Sequence, residues 1–245
     1  MCGYVGYNNS TIQDKPDLFG GFARLFQQPG NFDAYPAFGG DINRRVPLLI
    51  QERGEDKWVN AIWWFDGMVE DKLTYLGSRT SFNARNLNSP YWKAALEHSR
   101  GCIIASEIGE SKLLGKTKHQ YLLSSDEPFL LGALYRKLEN GDYCCAVITR
   151  DAHPKMAPYH DKAFPLFLPI QETFLRDWLS PQVQASASID ALLAQPKLFP
   201  TLRVQRVKTY KDKQPIGQVN DVLLSDLVQQ EVESPLSHVG QQKLF

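Results

Sequence analysis

The distribution of apolar residues along the chain predicts many short strands separated by turns. The segments 46–52 (VPLLIQE), 59–65 (VNAIWWF) and 101–106 (GCIIAS) are short and apolar, and turn or polar residues bound them, which is typical of buried strands. QYLLS, PFLLGALY and YCCAVITR predict three further strands, each separated by a turn. Residues 204–210 (VQRVKTY) alternate like a late strand.

Four segments have helical spacing instead. Residues 16–28, 92–98 (WKAALEH) and 171–179 (QETFLRDWL) each place apolar side chains on one face of a helix. Residues 188–195 (SIDALLAQ) predict a fourth helix, with Ser188 as its N-cap. Many short strands with a few helices among them predict an α+β fold.

The chain has 245 residues without repeats or an obvious linker, which favours one domain over residues 1–230. The polar residues 231–245 are expected to be a loosely attached tail. No apolar run approaches the roughly 20 residues that span a bilayer, so no membrane partner is expected. The start of the chain lacks the features of a signal peptide, and the cytoplasm is the expected compartment.

Charge and cysteine content narrow the functional classes. Lys plus Arg equals Asp plus Glu at 27 each, which argues against coating of duplex DNA by bulk attraction but allows a local basic groove. The four cysteines show neither CxxC spacing nor a zinc-type histidine cluster, so no metal or other cofactor is expected. Cys144 and Cys145 are interpreted as buried thiols in a reducing compartment.

The second residue offers unusual chemistry. Met1 precedes a small residue, the context in which the initiator methionine is usually removed, and its removal would leave Cys2 with a free α-amine beside its thiol. Both groups are nucleophilic near neutral pH. An aldehyde can form a Schiff base with the amine, and the thiol can then close a thiazolidine ring. Ring-opened abasic deoxyribose supplies such an aldehyde, and Gly3 allows close backbone approach.

A cysteine at position 2 is weak evidence by itself, but three further segments follow it. They are 82–85 (FNAR), 100–111 (RGCIIASEIGES) and 159–162 (YHDK), with 33–40 (DAYPAFGG) as a weaker match. In order and spacing the chain resembles the SRAP family, the SOS-response-associated peptidases. The resemblance implies a domain of mostly short antiparallel strands in a barrel-like sheet with flanking helices. It also implies covalent capture of abasic sites in single-stranded DNA, a thiol-dependent autopeptidase activity and an AP-lyase-like side reaction.

The resemblance assigns roles to individual residues. The catalytic candidates are Cys2, Asn83, Glu110 and His160. Asn83 would hold the amine, Glu110 would transfer protons near the nascent imine, and His160 would protonate the sugar oxygen as the ring opens. Each also has an ordinary alternative, respectively as a turn residue, a solvated loop residue and a structural partner of Asp161.

Single-stranded DNA requires cations and stacking surfaces, and no obligate protein partner is inferred. The candidates for DNA binding are Arg44, Arg45, Arg85, Lys162 and Trp64. For Trp64 and its neighbour Trp63, core packing is the alternative. Further basic candidates are Arg206 and Lys208.

The chain departs from the SRAP pattern at several positions. Tyr4 stands where the family usually has arginine, Glu107 where it has glycine, and Ser111 where tryptophan follows the glutamate. Two other functions remain open. A class II glutamine amidotransferase shares the Met-Cys-Gly start, although 53–56 (RGED) and 140–142 (NGD) match its other motifs poorly. The third possibility is a DNA-binding module without enzymatic activity.

Overall fold

The computed structural model describes residues 3–10, 16–184, 186–218 and 221–227, and the predicted α+β class is confirmed. The strands are β1 Tyr4–Tyr7, β2 Phe32–Ala34, β3 Arg45–Glu52, β4 Glu55–Ile62, β5 Gly67–Glu70, β6 Leu73–Leu76, β7 Asn83–Ala84, β8 Arg100–Leu114, β9 Thr117–Lys137, β10 Tyr143–Arg150, β11 Phe164–Pro165, β12 Phe167–Leu168, β13 Leu202–Val207 and β14 Asp221–Leu223. The helices are α1 Ala23–Phe26, α2 Pro90–His98, α3 Glu172–Leu179 and α4 Ala187–Ala194, with 3-10 segments at Pro16–Phe22 and Phe38–Gly40. Among the described residues, no helix has the length and apolar character to cross a bilayer.

Five of these strands close into a ring. β8 pairs with β3 on one side and with β9 on the other, β9 pairs with β10, and β4 joins β10 to β3. Every pair in the ring is antiparallel except the parallel contact of β10 with β4. The barrel-like sheet expected from the sequence is therefore a ring within a larger sheet. That sheet continues through β1 and β2 at one edge and through β13 and β14 at the other.

Apolar side chains cover both faces of the ring. Leu48 and Ile50 belong to one apolar cluster, whereas Leu49 between them belongs to a second, because alternate side chains of a strand point to opposite faces. α3 packs the fully buried Trp178 into the second cluster. The two covered faces explain why the ring strands appear in the sequence as continuous apolar runs.

The prediction of separate strands in QYLLS and PFLLGALY is wrong, because both belong to β9. β8 pairs with β9 along most of its length, and an irregularity between Ala105 and Glu107 skips residues 125–128 of β9. That skipped stretch contains Pro128, which has no backbone N–H to donate to a ladder. The polar turn seen in the sequence is thus a bulge within one hairpin.

Two predicted helix boundaries also need correction. The helix predicted over 16–28 is a 3-10 segment followed by α1, and it is interrupted at Gly20, which has φ of +51°. The predicted cap at Ser188 is wrong, because α4 begins at Ala187 and the hydroxyl of Ser186 accepts the N–H of Ile189.

A buried arginine joins α2 and α3 to the sheet. Arg100, the first residue of β8, is 3% exposed. Its guanidinium donates to the carbonyl oxygens of Leu96 at 2.7 Å, Trp178 at 2.8 Å and Ser180 at 3.0 Å. These carbonyls lie near the C-terminal ends of the two helices, where backbone oxygens lack helical partners and the helix dipole favours a cation.

Arg100→Met is expected to lower the free energy of unfolding by about 3–5 kcal/mol, because several buried carbonyls would lose a charged donor. Urea unfolding followed by circular dichroism measures the change. The matched control is Arg203→Met, which removes an exposed ion pair with Asp126 and is expected to cost about 1 kcal/mol or less. Equal effects of the two substitutions would contradict the assigned role of Arg100.

Candidate active site

The N-terminal strand leads towards a buried glutamate. β1 pairs with β8 so that Tyr4 lies opposite Gly109, and the N–H of Gly3 donates to the Gly109 carbonyl at 3.1 Å. Glu110 is the next residue of β8 and is 0% exposed. Cys2 lies outside the described residues. The pairing nevertheless brings Gly3, the residue bonded to Cys2, to the part of β8 that carries Glu110.

His160 is held beside this glutamate by a turn between β10 and β11. Its backbone N–H donates to Met156 at 2.8 Å, and its ring is almost fully buried. Nδ1 lies 2.8 Å from the Ser111 carbonyl and 3.6 Å from Oε2 of Glu110. A carbonyl only accepts, so this contact requires a proton on Nδ1, and the neutral ring then carries its lone pair on Nε2.

A cavity of about 410 Å³ lies between Gly3 and His160. Gly3 and His160 both line it. Its other lining residues include Lys112, Lys118 and Lys162 against a single carboxylate, Asp161. The Lys112 ammonium lies 3.7 Å from Asp161 and donates to the Ala157 carbonyl at 2.6 Å. The chain has no net charge, but this cavity is basic.

The residues of the FNAR segment (82–85) do not all lie at the same cavity. Phe82 lines the cavity, and the next residue, Asn83, pairs with β10 and has a buried carboxamide oxygen. Arg85 is about half exposed and lines a different cavity of about 340 Å³ together with Arg150. Its guanidinium lies 3.5 Å from Asp151.

The other predicted DNA contacts lie apart from His160. Arg44 donates to the Pro36 carbonyl at 3.0 Å and pairs with Asp41, whereas Arg45 pairs with Asp142 at 3.0 Å. Trp64 is 7% exposed, and its ring stacks on Phe82. Lys162 alone of the predicted DNA-binding residues lines the cavity together with His160.

Comparisons with known proteins identify the family of this chain. A model of the SRAP family, described as SOS response associated peptidase, matches residues 1–211. The chain belongs to the SRAP family. Membership supports a peptidase role associated with DNA damage. No curated protein matches the chain.

Solved structures share the SRAP chain's fold at low sequence identity. A phage-related protein from Bordetella bronchiseptica is 19% identical, with a TM-score of 0.57 over 88% of this chain and 100% of its own. A protein from Bacteroides thetaiotaomicron is 15% identical, with a TM-score of 0.55 over 85% and 93%. A further Bordetella bronchiseptica protein is 14% identical, with a TM-score of 0.53 over 85% and 100%.

Two departures from the SRAP pattern, Tyr4 and Glu107, meet in one polar cluster. The Tyr4 hydroxyl contacts the carboxylates of Asp33 and Glu107, and Lys213 contacts the same two carboxylates, Asp33 at 3.0 Å. Burial, together with the hydrogen bonds to the carboxylates, raises the pKa of Tyr4. Tyr4 is fully buried, and its contacts join β1 to neighbouring segments. A tyrosine carries no positive charge, so Tyr4 does not supply a cation for DNA.

The loop 208–215 carries Lys213 to this cluster, whereas the sequence indicated only Lys208 of this loop as a candidate. The ring of Tyr210 in the same loop stacks on Tyr4 with 5.9 Å between centroids, and it also lines the cavity. The charged residues 208–213 (KTYKDK) have the composition of a solvated surface. The one feature of the sequence that could have indicated the cluster is the unusual pair of Tyr4 and Glu107. Within the described residues, no three histidine, cysteine or acidic side chains are grouped to hold a metal ion.

Lys213→Met is expected to lower the free energy of unfolding by about 1–2 kcal/mol at pH 7, because two neighbouring carboxylates would lose their shared cation. Burial raises the pKa of Asp33, but hydrogen bonds from Tyr4 and Lys213 outweigh it and hold this pKa below its ordinary value. The contribution of Asp33 is therefore present above its unfolded pKa of about 3.9 and is lost as the pH falls through its folded pKa.

Stability measured between about pH 5 and pH 2 should therefore fall less steeply in Lys213→Met than in the wild type. Lys211→Met is the matched control, because Lys211 is an exposed lysine of the same loop. Identical pH profiles for wild type and Lys213→Met would exclude a stabilising role of the cluster.

Proposed function

We propose that the protein captures abasic sites in single-stranded DNA as a covalent adduct of Cys2, after removal of Met1. One observation carries the proposal: Gly3 lines the same cavity as His160, whose Nδ1 lies 3.6 Å from Glu110. Cys2 is bonded to Gly3, and the Cα atoms of consecutive residues lie about 3.8 Å apart across a trans peptide.

The proposed reaction needs only the amino-thiol and the aldehyde. The Cys2 amine adds to C1′ of the ring-opened deoxyribose, and the resulting carbinolamine loses water to give an imine. The thiol sulfur then adds to the imine carbon, and its proton passes to the nitrogen, which closes a five-membered thiazolidine. The net change is the loss of one water molecule, without an oxidant or reductant.

His160 and Glu110 are suited to move the protons of these steps. With one proton on Nδ1 bonded to the Ser111 carbonyl, Nε2 can carry a second proton and deliver it to the sugar oxygen as the ring opens. Glu110 lies 3.6 Å from the ring, and it is proposed to transfer protons for the amine. Asn83, with its buried carboxamide, is proposed to hold the amine.

The DNA backbone is proposed to follow the basic cavity. Lys112, Lys118 and Lys162 offer cations at the reaction site, and Arg85 offers a planar guanidinium farther along the strand. Arg44 and Arg45 do not line this cavity, and they pair with Asp41 and Asp142.

The peptidase activity named for the family fits the same residue. The Cys2 thiol would attack the carbonyl carbon of the preceding residue, and the C–N bond would break to free the Cys2 amine. Water would then hydrolyse the resulting thioester, which releases the preceding residue as a carboxylic acid and restores the thiol. β-Elimination from the imine instead of ring closure would cleave the DNA strand, which accounts for an AP-lyase-like side reaction.

Cys2→Ala is expected to abolish the adduct that survives a denaturing gel, because the imine formed by the remaining amine hydrolyses without thiazolidine closure. Borohydride reduction should restore a trapped adduct in this variant. Intact mass after incubation with a single-stranded oligonucleotide carrying one abasic site measures both species, and the wild-type adduct should equal the sum of its components minus one water. A denaturation-resistant adduct formed by Cys2→Ala without borohydride, or ammonia release from glutamine without any adduct, would refute the proposal.

Glu110→Gln and His160→Gln are each expected to slow adduct formation by about 10²-fold or more, the usual contribution of a positioned acid or base. Single-turnover gel assays measure the rate. Glu139→Gln, on the exposed turn after β9, is the control and should react like the wild type. Unchanged rates in both variants would remove these side chains from the mechanism.

A further inference from the structure

An exposed aromatic ring lies at the mouth of the basic cavity. Phe38 is 49% exposed, and it lines the cavity together with Gly3 and His160. Trp64, the stacking candidate expected from the sequence, lies against Phe38 and is only 7% exposed. The ring that is accessible at this position is therefore that of Phe38.

Other aromatic rings fix the position of Phe38. Its ring meets Phe82 edge to face at 4.8 Å and Trp64 edge to face at 5.6 Å. Trp64 and Phe82 stack on each other at 5.9 Å and are both buried. A half-exposed ring supported in this way loses little conformational freedom when a flat ligand covers it.

The backbone around Phe38 is equally well held. The N–H of Ala37 donates to the Trp63 carbonyl at 3.2 Å, and Arg44 donates to the Pro36 carbonyl at 3.0 Å. Gly39 and Gly40 follow with φ of +75° and +81°, and no atom lies within 4 Å of where a Cβ would be on either residue. The turn therefore presents the ring beside open space.

We propose that Phe38 is a stacking residue for the nucleobase next to the abasic site. The inference rests on the proposed function. An abasic nucleotide has no base, so the neighbouring base exposes one face that an aromatic side chain can cover. The lysines that line the same cavity, Lys112, Lys118 and Lys162, supply cations for the adjoining phosphates, which favours a nucleic-acid strand over a neutral apolar ligand.

The test separates binding from covalent chemistry. The probe is single-stranded DNA with one tetrahydrofuran abasic analogue, which cannot form an imine, flanked by 2-aminopurine. Fluorescence anisotropy gives the affinity, and quenching of 2-aminopurine reports stacking. Phe38→Ala is expected to weaken binding by about 5- to 100-fold and to remove the protein-dependent quenching, the usual cost of losing one base-stacking aromatic.

Two further variants at position 38 test for an aromatic face. Phe38→Trp should retain affinity and quenching. Phe38→Leu keeps apolar contacts with Trp64 and Phe82 but lacks an aromatic face, so it should behave like Phe38→Ala. The control is Tyr75→Ala, which removes another exposed ring that does not line the cavity.

Wild-type affinity and quenching in Phe38→Ala, or in Phe38→Leu, would overturn the inference, as would an absence of wild-type binding to the probe. A second probe has its flanking base also replaced by the tetrahydrofuran analogue, so that no base is available to stack. If Phe38→Ala lost as much affinity for this second probe as for the first, the inference would be overturned too. Phe38-dependent binding without any adduct on a true abasic site would leave this inference standing and refute the proposed covalent function.

Discussion

The hairpin of β8 and β9 is the constraint on which the rest of the fold depends. Its first half, formed by the start of β8 and the end of β9, closes the five-stranded ring with β3, β4 and β10. Its second half, nearer the turn between the two strands, pairs with β1 and β13. The irregularity between Ala105 and Glu107 separates the two halves and bends the hairpin so that both surfaces can be used. The N-terminal strand pairs with the second half, and the N–H of Gly3 donates to the carbonyl of Gly109, the residue before Glu110.

Three charged residues of β8, Arg100, Glu107 and Glu110, are buried or partly buried, and each is accommodated differently. Backbone carbonyls at two helix ends surround Arg100, Lys213 and Tyr4 contact Glu107, and His160 stands beside Glu110. Buried charge is costly unless it is compensated, so these partners define the path of several otherwise independent segments. The first two arrangements serve the fold, whereas the third lies beside a cavity that a ligand can enter.

The local charge of the active-site region differs from that of the whole chain. Equal numbers of acidic and basic residues give no net charge, yet the cavity beside His160 has three lysines against one aspartate. Tyr4 cannot replace a family arginine as a cation, and Lys213 is held by two carboxylates nearby. In the proposed function, attraction for a DNA strand would depend on Lys112, Lys118 and Lys162 and would be short-ranged at physiological ionic strength.

Local patterns in the sequence were enough to identify the apolar strands, α2, α3 and the α+β class, because side-chain periodicity and composition report which face of an element is buried. The order of the SRAP motifs also indicated Glu110 and His160 as candidate site residues, and the structure brings them to 3.6 Å from each other. Periodicity does not encode which distant segment covers a given face. Only the tertiary structure could therefore join Glu107 to Lys213 across 106 residues, merge two predicted strands into β9, and expose Phe38 while burying Trp64 beneath it.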